Sequence, residues 1–259
     1  MLTAGSGASS CQPGAVRLAV VTDVHGNLTA LEAIIADLRR RAVDCVVHGG
    51  DLALMGPRPA EVIDRIRELG WLGVVGNTDE LLWRPEEQVR QRERAPQLTT
   101  LLRWLFEAYA PDTRERLGEK RLAWLRELPT ELRIDDVAIV HAEPDELWRA
   151  PMPVAEDQEL EATYRPLRAG AVVYGHIHRP FTRAITAMVI ANAGSTGMPW
   201  DGDNRASYLL VDDGQPEIVR VAYDIEVEAR ELLARAHPDA ERLIEMRRRG
   251  RLVSPSPFP

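Results

Sequence analysis

The stretch Val20-Val21-Thr22-Asp23-Val24-His25-Gly26-Asn27, VVTDVHGN, decides the fold. An apolar run stops in an Asp-x-His pair and a glycine, and a helical period opens at Leu28. That is the strand-to-loop junction of an open α/β sheet, where ligands sit in the crevice beyond the carboxyl ends of the strands. Reading outward, apolar runs at residues 16–21, 44–47 and 72–75 alternate with helical periods at 28–41 and 59–69. This βαβαβ order predicts parallel strands joined by right-handed crossovers. The strands are nearly unbroken Val, Leu and Ala, as expected when both faces of a sheet are covered.

Residues 83–128 change to a helical pattern, with Leu101, Leu102, Leu105, Phe106 and Tyr109 on one recurring face and Leu122, Leu125 and Leu128 on another. Asp112 followed by Glu115 predicts a capping box opening the second helix. Trp83, Trp104, Trp124 and Tyr109 are expected in the core, where aromatics contribute much buried area. Short strands are predicted at 137–140 and 171–174, then at 181–186, 188–191, 207–211 and 217–221, where close spacing predicts antiparallel hairpins. Residues 226–249 predict one or two charged helices stopped at Gly250, and 254–259 form a proline-rich tail. The organisation expected is a flexible tail at 1–15, one domain at 16–224 with a helical insertion at about 84–128, and C-terminal helices and tail at 225–259 in the same unit.

At 259 residues the chain can bury a large single core. Its net charge of −8 argues against a duplex nucleic-acid footprint, which needs a basic face. Cys11 lies in a small-residue stretch and Cys45 in an apolar run, so no disulfide framework is expected. The opening residues lack a secretory pattern, and no later stretch reaches membrane-spanning length. A cytoplasmic protein with no membrane partner is the expectation.

Four further segments repeat the opening one: VVHGGD brings Asp51, VVGNTDE brings Asn77, VAIVHAE brings His141, and VVYGHIH brings His176 and His178. Each is an apolar strand running into residues able to bind a metal, and together with Asp23 and His25 they would converge at one sheet edge. Buried His and Asp are costly unless paired or coordinated, so five such segments point to a metal site. Imidazole, carboxylate and amide donors suit manganese, iron, nickel, cobalt or zinc. Gly26, Gly49, Gly50, Gly76 and Gly175 would permit tight turns and close backbone approach. His48 and His237 fall outside this set.

These motifs resemble the calcineurin-like metallophosphoesterase superfamily, whose order is Asp-x-His, Gly-Asp, Gly-Asn-His-Asp/Glu, His and Gly-His-x-His. The resemblance covers roughly residues 16–223; GDLALMGPRPAEVI at Asp51, RLAWLRELP before the His141 strand, and NAGSTGMPWDGDNRASY from Asn192 look like its bacterial and archaeal small-phosphoesterase branch. It implies an α/β fold in which two mixed β-sheets pack as a sandwich flanked by helices, a four-layer αββα arrangement. It also implies two divalent or trivalent metal ions, manganese first, with iron, nickel, cobalt or zinc as alternatives. Asp23, His25 and His178 would hold one ion and Asn77, His141 and His176 the other, with Asp51 as the bridge; Asp51, Asn77 and His141 are the implied catalytic centre.

The implied reaction is hydrolysis of a phosphodiester or phosphoanhydride, a nucleotide among the candidates, by in-line attack of a metal-bridged hydroxide. The alternatives are a phosphomonoesterase or protein phosphatase of the same fold, or a non-catalytic metal-binding scaffold. The partner is a small phosphoester substrate, with a homo-oligomer left open. One position departs from the family pattern: Thr78 stands where the family has a histidine at the leaving oxygen. A threonine hydroxyl can donate a hydrogen bond but is no acid near neutral pH, which favours diesters or good leaving groups. Asp79 is expected either to orient a metal-binding neighbour or to sit in a solvated turn, and His48 to face either the site or the core. Arg58 and Arg179 are candidate contacts to substrate phosphate, while Arg247, Arg248, Arg249 and Arg251 are expected to solvate a helix end. Asn192 and Ser195 lie in a predicted structured turn.

Overall fold

Leu18–Val21 (β1) is buried along its whole length, and successive side chains serve opposite faces. Leu18 and Val20 point into one apolar cluster, Ala19 and Val21 into another, as the period of two in a strand demands. The computed structural model of the protein describes residues 17–186, 188–255 and 257–258. The expected tail at 1–15 therefore lies outside the described residues.

After β1 come Leu28–Arg40 (α1), Cys45–His48 (β2), Pro59–Glu68 (α2) and Leu72–Gly73 (β3). Asn27 caps α1 by accepting from the Ala30 amide at 3.0 Å, and Pro59 opens α2 at the position where its missing amide proton costs nothing. Strands β1 to β3 are parallel, as the βαβαβ reading requires, with Val21 opposite His48. Two later strands, Ala206–Asp212 (β9) and Gln215–Val221 (β10), complete a five-stranded sheet in the order β10-β9-β1-β2-β3, with β9 antiparallel to both neighbours.

The other sheet, also five-stranded, has the order β4-β5-β6-β8-β7, from Glu131–Ile134 (β4), Val137–Val140 (β5), Ala171–Tyr174 (β6), Phe181–Ile185 (β7) and Met188–Asn192 (β8). Its central strands β5, β6 and β8 are parallel, and each edge strand is antiparallel. The hairpin expectation is thus met by β7–β8 and β9–β10, though β8 also pairs in parallel with β6. Between the sheets lie Leu18, Val20, Val47, Ile139, Val173 and Leu209. The outer faces are covered by α1, α2 and the C-terminal helices on one side and by Asp157–Tyr164 (α7) on the other. Two mixed sheets form a sandwich flanked by helices, the four-layer arrangement that the resemblance implied.

Between β3 and β4 run Asn77–Glu80 (α3), Glu87–Arg94 (α4), Thr99–Arg103 (α5), a π-helical turn at Trp104–Tyr109, and Ala110–Arg126 (α6). Asp112 does not cap a helix: it lies inside α6 and pairs with Arg116 at 2.8 Å, because the π turn carries the helix through Pro111 without a break. The interruption comes instead at Gly118, with φ 65° and ψ 167°. Trp104 and Tyr109 are buried in the core, and Trp83 and Trp124 pack against it.

The C-terminal residues form Ile225–Ala234 (α8) and Ala240–Arg249 (α9), and Gly250 ends α9 in the left-handed conformation at φ 58°. The expected solvated arginine run is corrected at Arg247. Its side chain is fully buried and donates to the carbonyls of Leu243 and Met55, each at 3.2 Å, so it fastens α9 to the loop before α2. Arg248 and Arg249 pair at the surface with Glu226 and Glu245. Cys45 is disulfide-bonded, where the sequence reading expected no disulfide framework. The chain's other cysteine, Cys11, lies outside the described residues. Among the described residues no helix is long and apolar enough to cross a membrane.

Candidate metal centre

Beyond the ends of β1 and β2 the backbone pairing continues into the loops. The amides of Asp23, His25 and Gly26 donate to the carbonyls of Gly50, Asp51 and Leu52 at 2.9–3.0 Å, which sets the Asp-x-His loop beside the Gly-Asp loop. From the other sheet, the His176 amide donates to Asp23 Oδ2 at 3.1 Å, bringing in the Gly-His-x-His loop after β6. Five residues here, Asp23, His25, Asp51, His176 and His178, hold φ between 48° and 65°. This left-handed region is sparsely used by residues other than glycine, though Asp and His enter it more readily than most. Strain concentrated at strand ends is a mark of a functional constraint.

All seven candidate side chains meet at this edge. On one side, His178 Nε2 lies 3.1 Å from Asp23 Oδ1 and 3.1 Å from His25 Nε2. Asp51 lies between the two halves, with Oδ2 at 3.8 Å from His25 Nε2 and Oδ1 at 3.5 Å from His141 Nε2. On the far side Asn77 Oδ1 sits 2.9 Å from His141 Nε2 and 3.0 Å from His176 Nδ1. Two groups of three have their donor atoms close enough to share an ion: Asp23, His25 and His178, and Asp23, Asp51 and His141.

The tautomers follow from the outer contacts. Nδ1 of His25, His141 and His178 faces the carbonyls of Leu54, Gly49 and Met198 at 3.1, 2.8 and 2.6 Å, so each Nδ1 carries the proton and donates it. The Nε2 lone pairs of these three rings therefore point into the centre. Burial holds His25 well below the ordinary histidine range and, with His141 nearby, lowers His176 to about 3. Burial and the Asp23 charge push Asp51 up to about 7. Neutral imidazoles facing two crowded carboxylates are a donor set that fits cations, which would relieve both the lone-pair repulsion and the carboxylate pair.

The surrounding residues keep these groups in place. Gly76 and Gly175 admit no side chain: an added Cβ would come within 2.0 Å of Asp51 Oδ1 at the first and 2.4 Å of Asp23 Oδ2 at the second. Asp79 is buried and accepts from the amides of Leu52 and Gly76, at 3.0 and 3.3 Å. It ties the Asp51 loop to the start of α3 rather than lying in a solvated turn, and burial and the Asp51 charge raise it to about 7. The Thr78 amide donates to Asp51 Oδ1 at 2.8 Å, and its buried hydroxyl has no hydrogen-bond partner.

His48 turns away from the centre, with its ring 5.9 Å from Trp124, both ring nitrogens unpartnered, and burial lowering it to about 3. Arg58 is likewise remote, spent on Glu228 at 2.9 Å and on Thr29. Arg179 lines the cavity above the centre.

The sequence placed Asn192 and Ser195 in a structured turn and did not single out Trp200; the structure brings all three against the centre through the main chain. Ser195 Oγ donates to the Asp23 carbonyl at 2.7 Å and accepts from the Met198 amide at 2.8 Å, so the loop that receives the His178 proton also clamps Asp23. Asn192 donates to the Gly175 carbonyl at 2.5 Å. Trp200 stacks on the His178 ring with centroids 3.9 Å apart, and its amide donates to the His178 carbonyl at 3.0 Å. Their signal in sequence was the cluster of Gly, Ser and Asn after β8, which reads first as a turn.

The model of the calcineurin-like phosphoesterase superfamily domain matches residues 16–214. The chain belongs to that superfamily. Metal dependence comes with the family, and the clustered Asp and His side chains are its candidate ligands here. The uncharacterized protein MJ0912 of Methanocaldococcus jannaschii is 30% identical over 231 residues, covering 80% of this chain and 88% of that protein. Two solved structures share the fold. The metallophosphoesterase from Sphaerobacter thermophilus has a TM-score of 0.73 at 24% identity, and the hypothetical protein PH1004 from Pyrococcus horikoshii OT3 has 0.74 at 21%. Each alignment covers 92% of this chain and 100% of the other.

Proposed function

We propose that this phosphoesterase-family chain hydrolyses a phosphodiester or phosphoanhydride with two metal ions, manganese being the first candidate. Asp23, His25 and His178 would hold one ion, Asn77, His141 and His176 the other, and Asp51 would reach both. When bound, such a pair supplies Lewis acidity toward phosphoryl oxygens and a nucleophilic water near neutral pH. The observation that carries the reading is the donor geometry: three Nε2 lone pairs, fixed by carbonyls behind them, point at two buried carboxylates.

The preference for diesters rests on Thr78. Its hydroxyl is buried and unpartnered, and the residue lines the cavity beside Asn77. It is placed to donate a hydrogen bond but has no proton to give up near neutral pH. The leaving oxygen must then depart without a general acid from this position, a loss of about 10²–10⁴-fold for poor leaving groups. Turnover of bis(p-nitrophenyl) phosphate and p-nitrophenyl phosphate with manganese or nickel tests this. The diester should be the better substrate, and Thr78→His should raise the monoester-to-diester ratio. An unchanged ratio would contradict the role given to Thr78, and stoichiometric metal binding without hydrolysis of either ester would favour a scaffold.

A further inference from the structure

The cavity above the metal centre has a volume of about 320 Å³, with His25, Asp51, Asn77, His176 and His178 among its lining groups. Its walls are of another character. Leu98, Leu101, Leu102 and Leu105 come down from α5 and the turns on either side of it, Met152 from the loop after β5, and Leu252 from the chain beyond α9. Three segments far apart in sequence thus place aliphatic side chains over one polar floor. Leu98, Met152 and Leu252 remain 44%, 39% and 48% exposed. Of the seven large apolar side chains exposed among the described residues, these three share one mouth, and apolar surface concentrated in one place marks a binding site.

The cavity is also poor in free charge. Arg242 is committed, donating to Asp239 at 2.5 Å, to the Tyr109 hydroxyl at 2.6 Å and to the Val253 carbonyl at 3.0 Å. Arg179 is exposed and makes no ion pair or hydrogen bond with the described residues, leaving one cation at the mouth. A polyphosphate or a dinucleotide carries charge along its length and needs a row of cations to meet it. One arginine beside a metal floor meets a single phosphoryl group.

We propose that the phosphoester taken by this site carries an uncharged alkyl or aryl substituent, which lodges against the leucine wall of α5 and its flanking turns while the phosphoryl group sits on the floor. This rests on the phosphoesterase reading above and narrows its substrate class. Hydrolysis would break one P–O ester bond, with water supplying the hydroxyl to phosphorus and the proton to the departing alcohol. Each methylene moved from water onto the wall is worth roughly a fourfold gain in binding.

The test uses the full-length protein loaded with manganese and a series of p-nitrophenyl alkyl phosphodiesters from methyl to octyl. In parallel, calorimetry measures the affinity of the matching n-alkylphosphonates. Both kcat/KM and phosphonate affinity should climb with chain length, by roughly two- to fourfold per methylene until the cavity is filled. Leu98→Ser and Leu101→Ser, at exposed and half-buried positions, should flatten both slopes. Slopes that are flat or falling in the unmodified protein, or a dinucleoside polyphosphate turned over faster than the octyl ester, would overturn the proposal. Loss of all ester hydrolysis with a chain-length dependence kept in phosphonate affinity would instead defeat the phosphoesterase reading and leave the apolar site standing.

Discussion

His25 and His178 face each other nitrogen to nitrogen, with Nε2 atoms 3.1 Å apart, and with Nδ1 protonated on each ring both Nε2 atoms present lone pairs. Each ring has committed its proton to a carbonyl on the far side, Leu54 for His25 and Met198 for His178. Two lone pairs held at that distance repel, and Asp23 Oδ1, also 3.1 Å from His178 Nε2, adds further negative charge. The fold holds this arrangement ready for a cation, so binding energy becomes folding energy.

Metal should therefore raise the melting temperature. At a free ion concentration a thousandfold above Kd the gain is about 4 kcal/mol, a shift of several degrees for a chain of this size. Thermal scans against manganese concentration, after stripping with a chelator, check it. A melting temperature indifferent to metal would count against the centre.

Ser195→Ala should weaken metal binding without removing any candidate ligand. The hydroxyl holds both the Asp23 carbonyl and the Met198 amide, and groups that orient metal ligands are worth about 10–100-fold in affinity or activity. Calorimetric titration of metal into the variant reads the effect. Unchanged affinity would show that the loop after β8 holds its shape by other contacts.

His48→Leu should stabilise the protein. Both imidazole nitrogens are buried without partners, and leaving such groups unsatisfied costs about 1–3 kcal/mol, part of which an apolar side chain of similar size recovers. The pH dependence has a definite sign. Burial lowers His48 from 6.5 to about 3, so the neutral ring belongs to the folded state. Its contribution is complete above the unfolded pKa and is lost as pH falls from about 6.5 toward 3. In metal-free protein the leucine variant should lose less stability on acidification, as read by denaturant unfolding at successive pH values. Parallel profiles would contradict the assignment.

The parallel strands and their polar ends were legible because β1, β5 and β6 are buried on both faces and cannot mix polar residues into their runs. β4 escaped notice: at a sheet edge its residues Glu131 to Ile134 alternate between exposed and half-buried, and a four-residue alternation resembles a loop. α7 was hidden by a polar composition that buries little besides Leu160 and Tyr164. At Asp112 a local capping signal lost to the π turn that carries the helix onward. Within the site, the candidate ligands were readable because their chemistry is in their side chains. Met198 and Trp200 were not, because their work there involves backbone amides and carbonyls, which the identity of a residue does not disclose. Arg247 looked like surface charge, since only the packing of α9 on the loop at Met55 shows that it is enclosed.

The most direct measurement is the metal content of the full-length protein, by elemental analysis and calorimetry, beside that of Asp51→Asn. Asp51 lies between the two halves of the centre, within 3.8 Å of His25 Nε2 and 3.5 Å of His141 Nε2. Two ions per chain are predicted for the native protein, with fewer than two and a loss of phosphodiester turnover of at least about a hundredfold for the variant. One ion or none in the native protein, or an Asp51→Asn variant that keeps both ions and its turnover, would contradict a shared two-metal centre.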